Sequence, residues 1–121
     1  MNRRELGQQG EEEAARYFLR RGWRILGRNV RVGRKELDLI VFRRGVLVFV
    51  EVKSRSGFQF GDPLEAISHE KKRVICSAAA GWLRSTGAPG VREVRFDAVG
   101  VLWPPRSSPV LQHIPDAWRM G

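Results

Sequence analysis

The sequence predicts a mixed α/β fold, an αβββαβ core in which helices flank a mixed central sheet. Three observations carry that prediction. Two segments space their apolar residues as helices do, one near the N-terminus and one in the middle of the chain. Three consecutive strand-like segments lie between them, and another follows the second helix. Strands in that order with only two helices describe a sheet covered by helices, not a doubly wound nucleotide fold.

The first helix is expected over Glu11 to Arg21, closed by Gly22. Ala14, Ala15, Phe18 and Leu19 gather on one side of it, and Glu12, Glu13, Arg16 and Arg20 on the other. Trp23 to Val32 reads as a strand with a break near Gly27. Glu36 to Phe42 alternates Leu37, Leu39 and Val41 against Glu36, Asp38, Ile40 and Phe42. Val46 to Lys53 is rich in β-branched residues, as a central strand is. The tight Arg43-Arg44-Gly45 connection makes these two strands a hairpin. Ser68 caps a second helix from about Glu70 to Arg84, whose apolar face holds Val74, Ile75, Ala78, Ala79, Trp82 and Leu83. A turn at Gly87 to Gly90 leads to a strand over Val91 to Leu102. A loop at Pro104 to Pro109 leads to a shorter strand, Val110 to Ile114.

The 121 residues suit one domain, taken as residues 1–121, with 42% apolar and 29% charged residues. No apolar run reaches the ~20 residues of a membrane span, and no apolar stretch follows the first charges as in a secretory signal. The single cysteine, Cys76, excludes an internal disulfide and a multi-cysteine metal site and is expected to pack. A cytoplasmic protein is expected. Lys and Arg total 22 against 13 Asp and Glu, a net charge of +9, and 18 of the 22 are arginines. That excess points to a polyanionic partner, a nucleic acid first, because each neutralised phosphate releases counterions and arginine forks onto phosphate oxygens. Genomic base composition or a thermophile's surface would also raise arginine content.

Glu51 and Lys53 share one face at the end of the apolar run Val46 to Val50, while Val48, Val50 and Val52 take the other. A carboxylate and an ammonium leaving a core strand together are costly unless paired, metal-bound or at the sheet's rim. A cross-strand ion pair is one reading, a functional pair the other. The short hairpin brings Asp38 near Glu51. Adjacent carboxylates repel unless a cation lies between them. Oxygen ligands without cysteine or histidine suit Mg²⁺, with Mn²⁺ the alternative, rather than zinc. Glu36 shares the Asp38 face and ranks below it. Glu11 falls on the inward face of the first helix. The helix dipole accounts for an anion there; delivery of a third carboxylate to the Asp38–Glu51 cation is the other reading. Lys71, in the first turn of the second helix, either snorkels or reaches a phosphate. His69 and His113 lack ligand spacing and are expected at the surface, and Asp97 is expected to pair with an arginine. Gly57 to Gly61, with Phe58 and Phe60, reads as a loop that stacks on bases, joins an interface or anchors locally.

Asp38, a spacer and Glu51-x-Lys53 resemble the PD-(D/E)xK nuclease superfamily. The chain resembles more closely the YraN-like family of predicted endonucleases, related to Holliday-junction resolvases. The matching segments run from about residue 7 to the C-terminus: Gly10-Glu11 with Ala14, Ala15, Tyr17 and Leu19; Gly22-Trp23; Asn29-x-Arg31; Glu36 to Ile40; Val48 to Lys53 with Arg55; Phe60-Gly61-x-Pro63; Lys71; and Arg95-Phe96-Asp97. Lys35 stands where the family carries glycine, and Leu37 precedes Asp38 where the superfamily's name has proline. The resemblance implies a restriction-endonuclease-like core and a metal-dependent site acting on DNA. Asp38 and Glu51 would hold the metal, with Val52 counted among the metal-binding residues. Lys53 would stand near the scissile phosphate, and Glu11 would be the helix-borne acid. Arg31, Arg55 and Lys71 are the expected nucleic-acid contacts, and resolvase-like nucleases suggest a homodimer. The alternative is a non-catalytic nucleic-acid-binding protein on a nuclease fold; incidental basic charge on an interaction protein is a third.

Overall fold

The computed structural model describes residues 2–57 and 61–120. Asn2 starts the first helix, α1 (Arg3–Arg20), by accepting the Glu5 N–H on its side chain at 2.9 Å. The helix therefore begins eight residues before the expected Glu11. Its first turns carry no apolar stripe, so periodicity could not reveal them. The buried side is Gly10, Ala14, Ala15 and Phe18. Leu19, expected on that side, is 55% exposed. Small residues let the helix lie close to the sheet: a Cβ at Gly10 would collide with the Ser54 side chain.

Five strands form one sheet in chain order: β1 (Arg24–Val32), β2 (Lys35–Arg43), β3 (Val46–Ser56), β4 (Glu93–Trp103) and β5 (Val110–Trp118). Neighbours are antiparallel except β3 and β4, which are parallel. A parallel pair needs a long crossover. A short 3-10 helix (Pro63–Ala66) and α2 (His69–Thr86) supply it. Ser68 caps α2 as expected, accepting the Lys71 N–H at 3.0 Å, and Gly87 ends it at φ +71°. The break expected near Gly27 is a register shift between Ile25 and Gly27. β5 runs four residues past the expected Ile114. Pro115-Asp116 reads as a stop, but Asp116 takes φ +52° and gives its N–H to the Asp97 carboxylate at 2.9 Å. Pairing then resumes at Phe96–Trp118.

Apolar residues fill both faces of the sheet. Phe18, Trp23, Leu39, Val41, Val48, Val50 and Val52 pack under α1. Leu37, Ile40, Leu47, Phe49, Ile75, Ala78 and Phe96 pack under α2. Each Val, Leu, Ile or Phe among them contributes about 1.5–3 kcal/mol on burial, so the core can carry a few costly polar groups. Leu37 and Leu39, expected on one face, lie on opposite faces. The cause is across the ladder: Asn29, between the pairs Arg28–Leu39 and Val30–Leu37, has φ +50°. Left-handed backbone, which asparagine tolerates, interrupts the regular pairing there while the register is kept on either side. Among the described residues, no helix is long and apolar enough to cross a membrane.

Candidate metal and phosphate site

The β2–β3 ladder stops at the pair Leu39–Val50. Beyond it the Val52 N–H has no β2 partner and donates instead to Asp38 Oδ2 at 2.9 Å. Asp38 thus sits where the distortion at Asn29 opens the sheet, half-buried between its faces. Glu51, the residue before Val52, is 4% exposed. Its carboxyl meets that of Asp38, and its proton is held well above the ordinary range, at about 9. Burial is the largest cause, followed by a hydrogen bond to Asp38 and by repulsion from its charge. Lys71 and Lys53 pull the other way. Their Nζ atoms stand 3.8 and 4.0 Å from Glu51 Oε2, the outer limit of ion-pair contact, and both side chains reach solvent. Those contacts oppose the shift without cancelling it, and burial and Asp38 hold the Glu51 carboxyl above the ordinary carboxylate range.

Glu11 is partly buried on α1. Its pKa is raised first by burial, then by the Asp38 charge; Asn29 lowers it through a hydrogen bond, Glu36 raises it and Arg28 lowers it. Acidic groups from α1, β2 and β3 therefore feel one another through Asp38. Glu36 itself is exposed. Among the described residues, no three His, Cys, Asp or Glu side chains gather closely enough to enclose a metal by themselves. The structure brings Asp38, Glu51, Lys53 and Lys71 together, with Val52 contributing its main chain. Glu11 stands next to Asp38 rather than within the Glu51 cluster. Arg55 is exposed near the end of β3, beside Lys53, and both border a small cavity closed by Pro63 and Gly100. Arg31 is exposed on the outer strand β1, opposite Glu36. Phe58 and Phe60, expected in a contact loop, lie outside the described residues.

His113 is not at the surface as expected. Its Nδ1 meets the Tyr17 hydroxyl at 2.8 Å and its Nε2 meets Asp97 Oδ2 at 2.7 Å. Asp97 is fully buried and also takes a forked pair of hydrogen bonds from Arg95, at 2.9 and 3.0 Å. The expected arginine partner of Asp97 is thus Arg95. The network ties α1 to β4 and β5 beneath Phe18, away from Glu51. Two residues that shape the site escaped sequence reasoning: Asn29, whose signal was an asparagine within a strand, and Val52 as a partner of Asp38.

Fold and site define an α/β protein with a buried glutamate beside a half-buried aspartate at the open edge of a hairpin. The model described as uncharacterised protein family UPF0102 matches residues 10–101. A UPF0102 protein of Rhodococcus jostii (strain RHA1) is 42% identical over 113 residues, 93% of this chain and 95% of the relative. One from Chlorobaculum tepidum is 42% identical over 97 residues, 80% of this chain and 74% of the relative. One from Leifsonia xyli subsp. xyli is 40% identical over 112 residues, 92% and 93% of the two chains. The chain belongs to the UPF0102 (YraN-like) family.

Proposed function

We propose that this protein is a metal-dependent endonuclease of the PD-(D/E)xK kind that hydrolyses phosphodiester bonds in DNA. The observation that carries this reading is the Glu51 carboxyl, 4% exposed and set against Asp38 with Lys53 and Lys71 at its rim. Such a pair is short of positive charge, and a divalent ion would supply it. The donors are oxygens: Asp38, Glu51 and the Val52 main chain. In an extended strand a residue turns its N–H and C=O to the same side, so the Val52 carbonyl faces the gap into which its N–H reaches Asp38. This set fits Mg²⁺ or Mn²⁺ better than zinc. Glu11 would add a carboxylate through the Asp38 side. A bound divalent ion supplies Lewis acidity and a water of lowered pKa.

The chain's own groups do the rest. Asp38 and Glu51 would hold the ion. Lys53 orients the attacking water and offsets charge growing on the phosphate as a point cation. Lys71 holds the phosphate from the α2 side. Arg31, Arg55 and the net charge of +9 favour a nucleic-acid backbone. A protein that only binds nucleic acid has no use for two carboxyls set together beside Lys53 and Lys71. The test is a cleavage panel of single-strand, duplex, flap and four-way-junction DNA with Mg²⁺, Mn²⁺ or EDTA. Metal-dependent cleavage lost in Asp38→Ala and Glu51→Ala supports the reading. Binding without cleavage under any metal favours the binder.

A further inference from the structure

α2 carries two neighbouring stripes of charge. Lys71 turns toward Glu51. His69, Lys72, Arg73 and Cys76, at helical spacing, line one wall of a separate cleft of about 580 Å³. That stripe runs about 10 Å along the helix. Trp118 and Arg119, from the end of β5 and just beyond, form the opposite wall. Among the described residues, no acidic side chain lines the cleft. Arg119 is tied to Asp116 at 2.7 Å. Lys72 and Arg73 enter no ion pair among the described residues.

The Trp118 wall ends a column of rings. Phe49 stacks on Phe96 with centroids 5.6 Å apart at 24°, and Phe96 stacks on Trp118 at 5.5 Å and 23°. Phe49 and Phe96 are buried, whereas Trp118 is only half-buried. Its indole N–H is buried without a hydrogen-bond partner, so stacking rather than a polar contact fixes the ring. Lys72 Nζ lies 5.9 Å from its centroid. A rigid aromatic plate beside unpaired cations is the arrangement that holds single-stranded nucleic acid: bases stack on the ring and phosphates meet the cations.

We infer that the cleft between α2 and the end of β5 binds single-stranded nucleic acid, with a base on Trp118 and flanking phosphates on Lys72 and Arg73. The inference rests on the nucleic-acid reading above and adds a strand contact next to the Glu51–Lys71 site.

The test is fluorescence anisotropy in EDTA, where nothing is cut. Its probes are a labelled oligothymidylate, an abasic oligomer of equal length and an acidic peptide of equal charge. Trp118→Leu is expected to weaken oligothymidylate binding about tenfold, within the range of one base–aromatic stack, and to leave abasic binding unchanged. Lys72→Glu with Arg73→Glu, both on the surface, is expected to weaken both oligomers. Wild-type protein also tests the stack without a variant: oligothymidylate quenches tryptophan emission and the abasic oligomer does not. Equal wild-type affinity for the two oligomers without quenching overturns the inference, as does an acidic peptide that binds as tightly as oligothymidylate. Wild-type protein that binds neither oligomer nor duplex overturns the nucleic-acid reading too. Binding that is indifferent to both sets of substitutions overturns this inference alone.

Discussion

Asp38 Oδ2 accepts the Val52 N–H at 2.9 Å, in the place of a β2 carbonyl. The same carboxyl repels Glu51. Asp38 thus has a structural task, done by an oxygen, and an electrostatic one, done by its charge. The two separate by substitution. Asp38→Asn keeps an acceptor for Val52 and removes the charge that opposes ionisation of Glu51. Its melting temperature in EDTA is expected to fall less with rising pH than that of the wild type, with cleavage abolished. Asp38→Ala leaves the Val52 N–H without its acceptor, at a cost of about 1–3 kcal/mol. Thermal melts of both variants check this, and equal melting temperatures would refute it.

Glu51 sets a pH dependence of stability in the metal-free protein. Its folded pKa, about 9, lies above the ordinary 4.5. The folded state therefore binds the extra proton between those values. The stabilisation is complete below about pH 4.5 and is lost as pH rises toward 9, with a slope of at most about 1.4 kcal/mol per pH unit. Glu51→Gln is expected to flatten that slope in denaturant titrations made in EDTA. Mg²⁺ must displace the same proton, so its affinity is expected to rise with pH over this window. Calorimetry in buffers of different ionisation enthalpy reads the released proton directly. An affinity that is flat from pH 6 to 9 would separate Glu51 from the metal.

How far the site could be read from the sequence depended on what spacing alone determines. Residues two apart on a strand share a face, so Glu51 and Lys53 were legible together, and a three-residue connection brought Asp38 toward them. The apolar run Val46 to Val50 made β3 central without any contact information. Other features depend on a backbone angle or on a partner far along the chain. The left-handed turn at Asn29 separates Leu37 from Leu39, and no hydrophobic pattern announces it. The first turns of α1 are polar on all sides. The His113–Asp97 contact exists because β5 continues through a bulge at Asp116 that reads as a chain stop.

Lys53 and Glu11 are expected to differ in the kind of loss they cause. Lys53→Ala should slow cleavage at saturating Mg²⁺ by about 10²–10³-fold, as loss of an electrostatic stabiliser does, with metal affinity largely unchanged. Glu11→Ala should raise the Mg²⁺ requirement and regain much of its rate when the metal is increased. Rate against metal concentration separates the two; a Lys53→Ala defect that extra metal restores would make Lys53 part of the metal's setting.

The Asp97 network supplies the control that keeps stability apart from chemistry. Burial pushes the Asp97 carboxyl up, but hydrogen bonds from His113, Arg95 and the Asp116 N–H outweigh it and hold the pKa below 3.8. Its contribution is therefore present above about pH 4 and is lost as acid protonates it, the opposite direction to Glu51. Asp97→Ala leaves the Arg95 guanidinium partly buried without its anion and the Asp116 N–H without its acceptor. A loss of about 3–5 kcal/mol is expected, read by urea unfolding at neutral pH. Cleavage per folded molecule should not change, because the network joins α1 to β4 and β5 beneath Phe18 and touches neither Asp38 nor Glu51. A variant of unchanged stability but reduced turnover would instead connect His113 and Asp97 to the reaction and require a site larger than the hairpin edge.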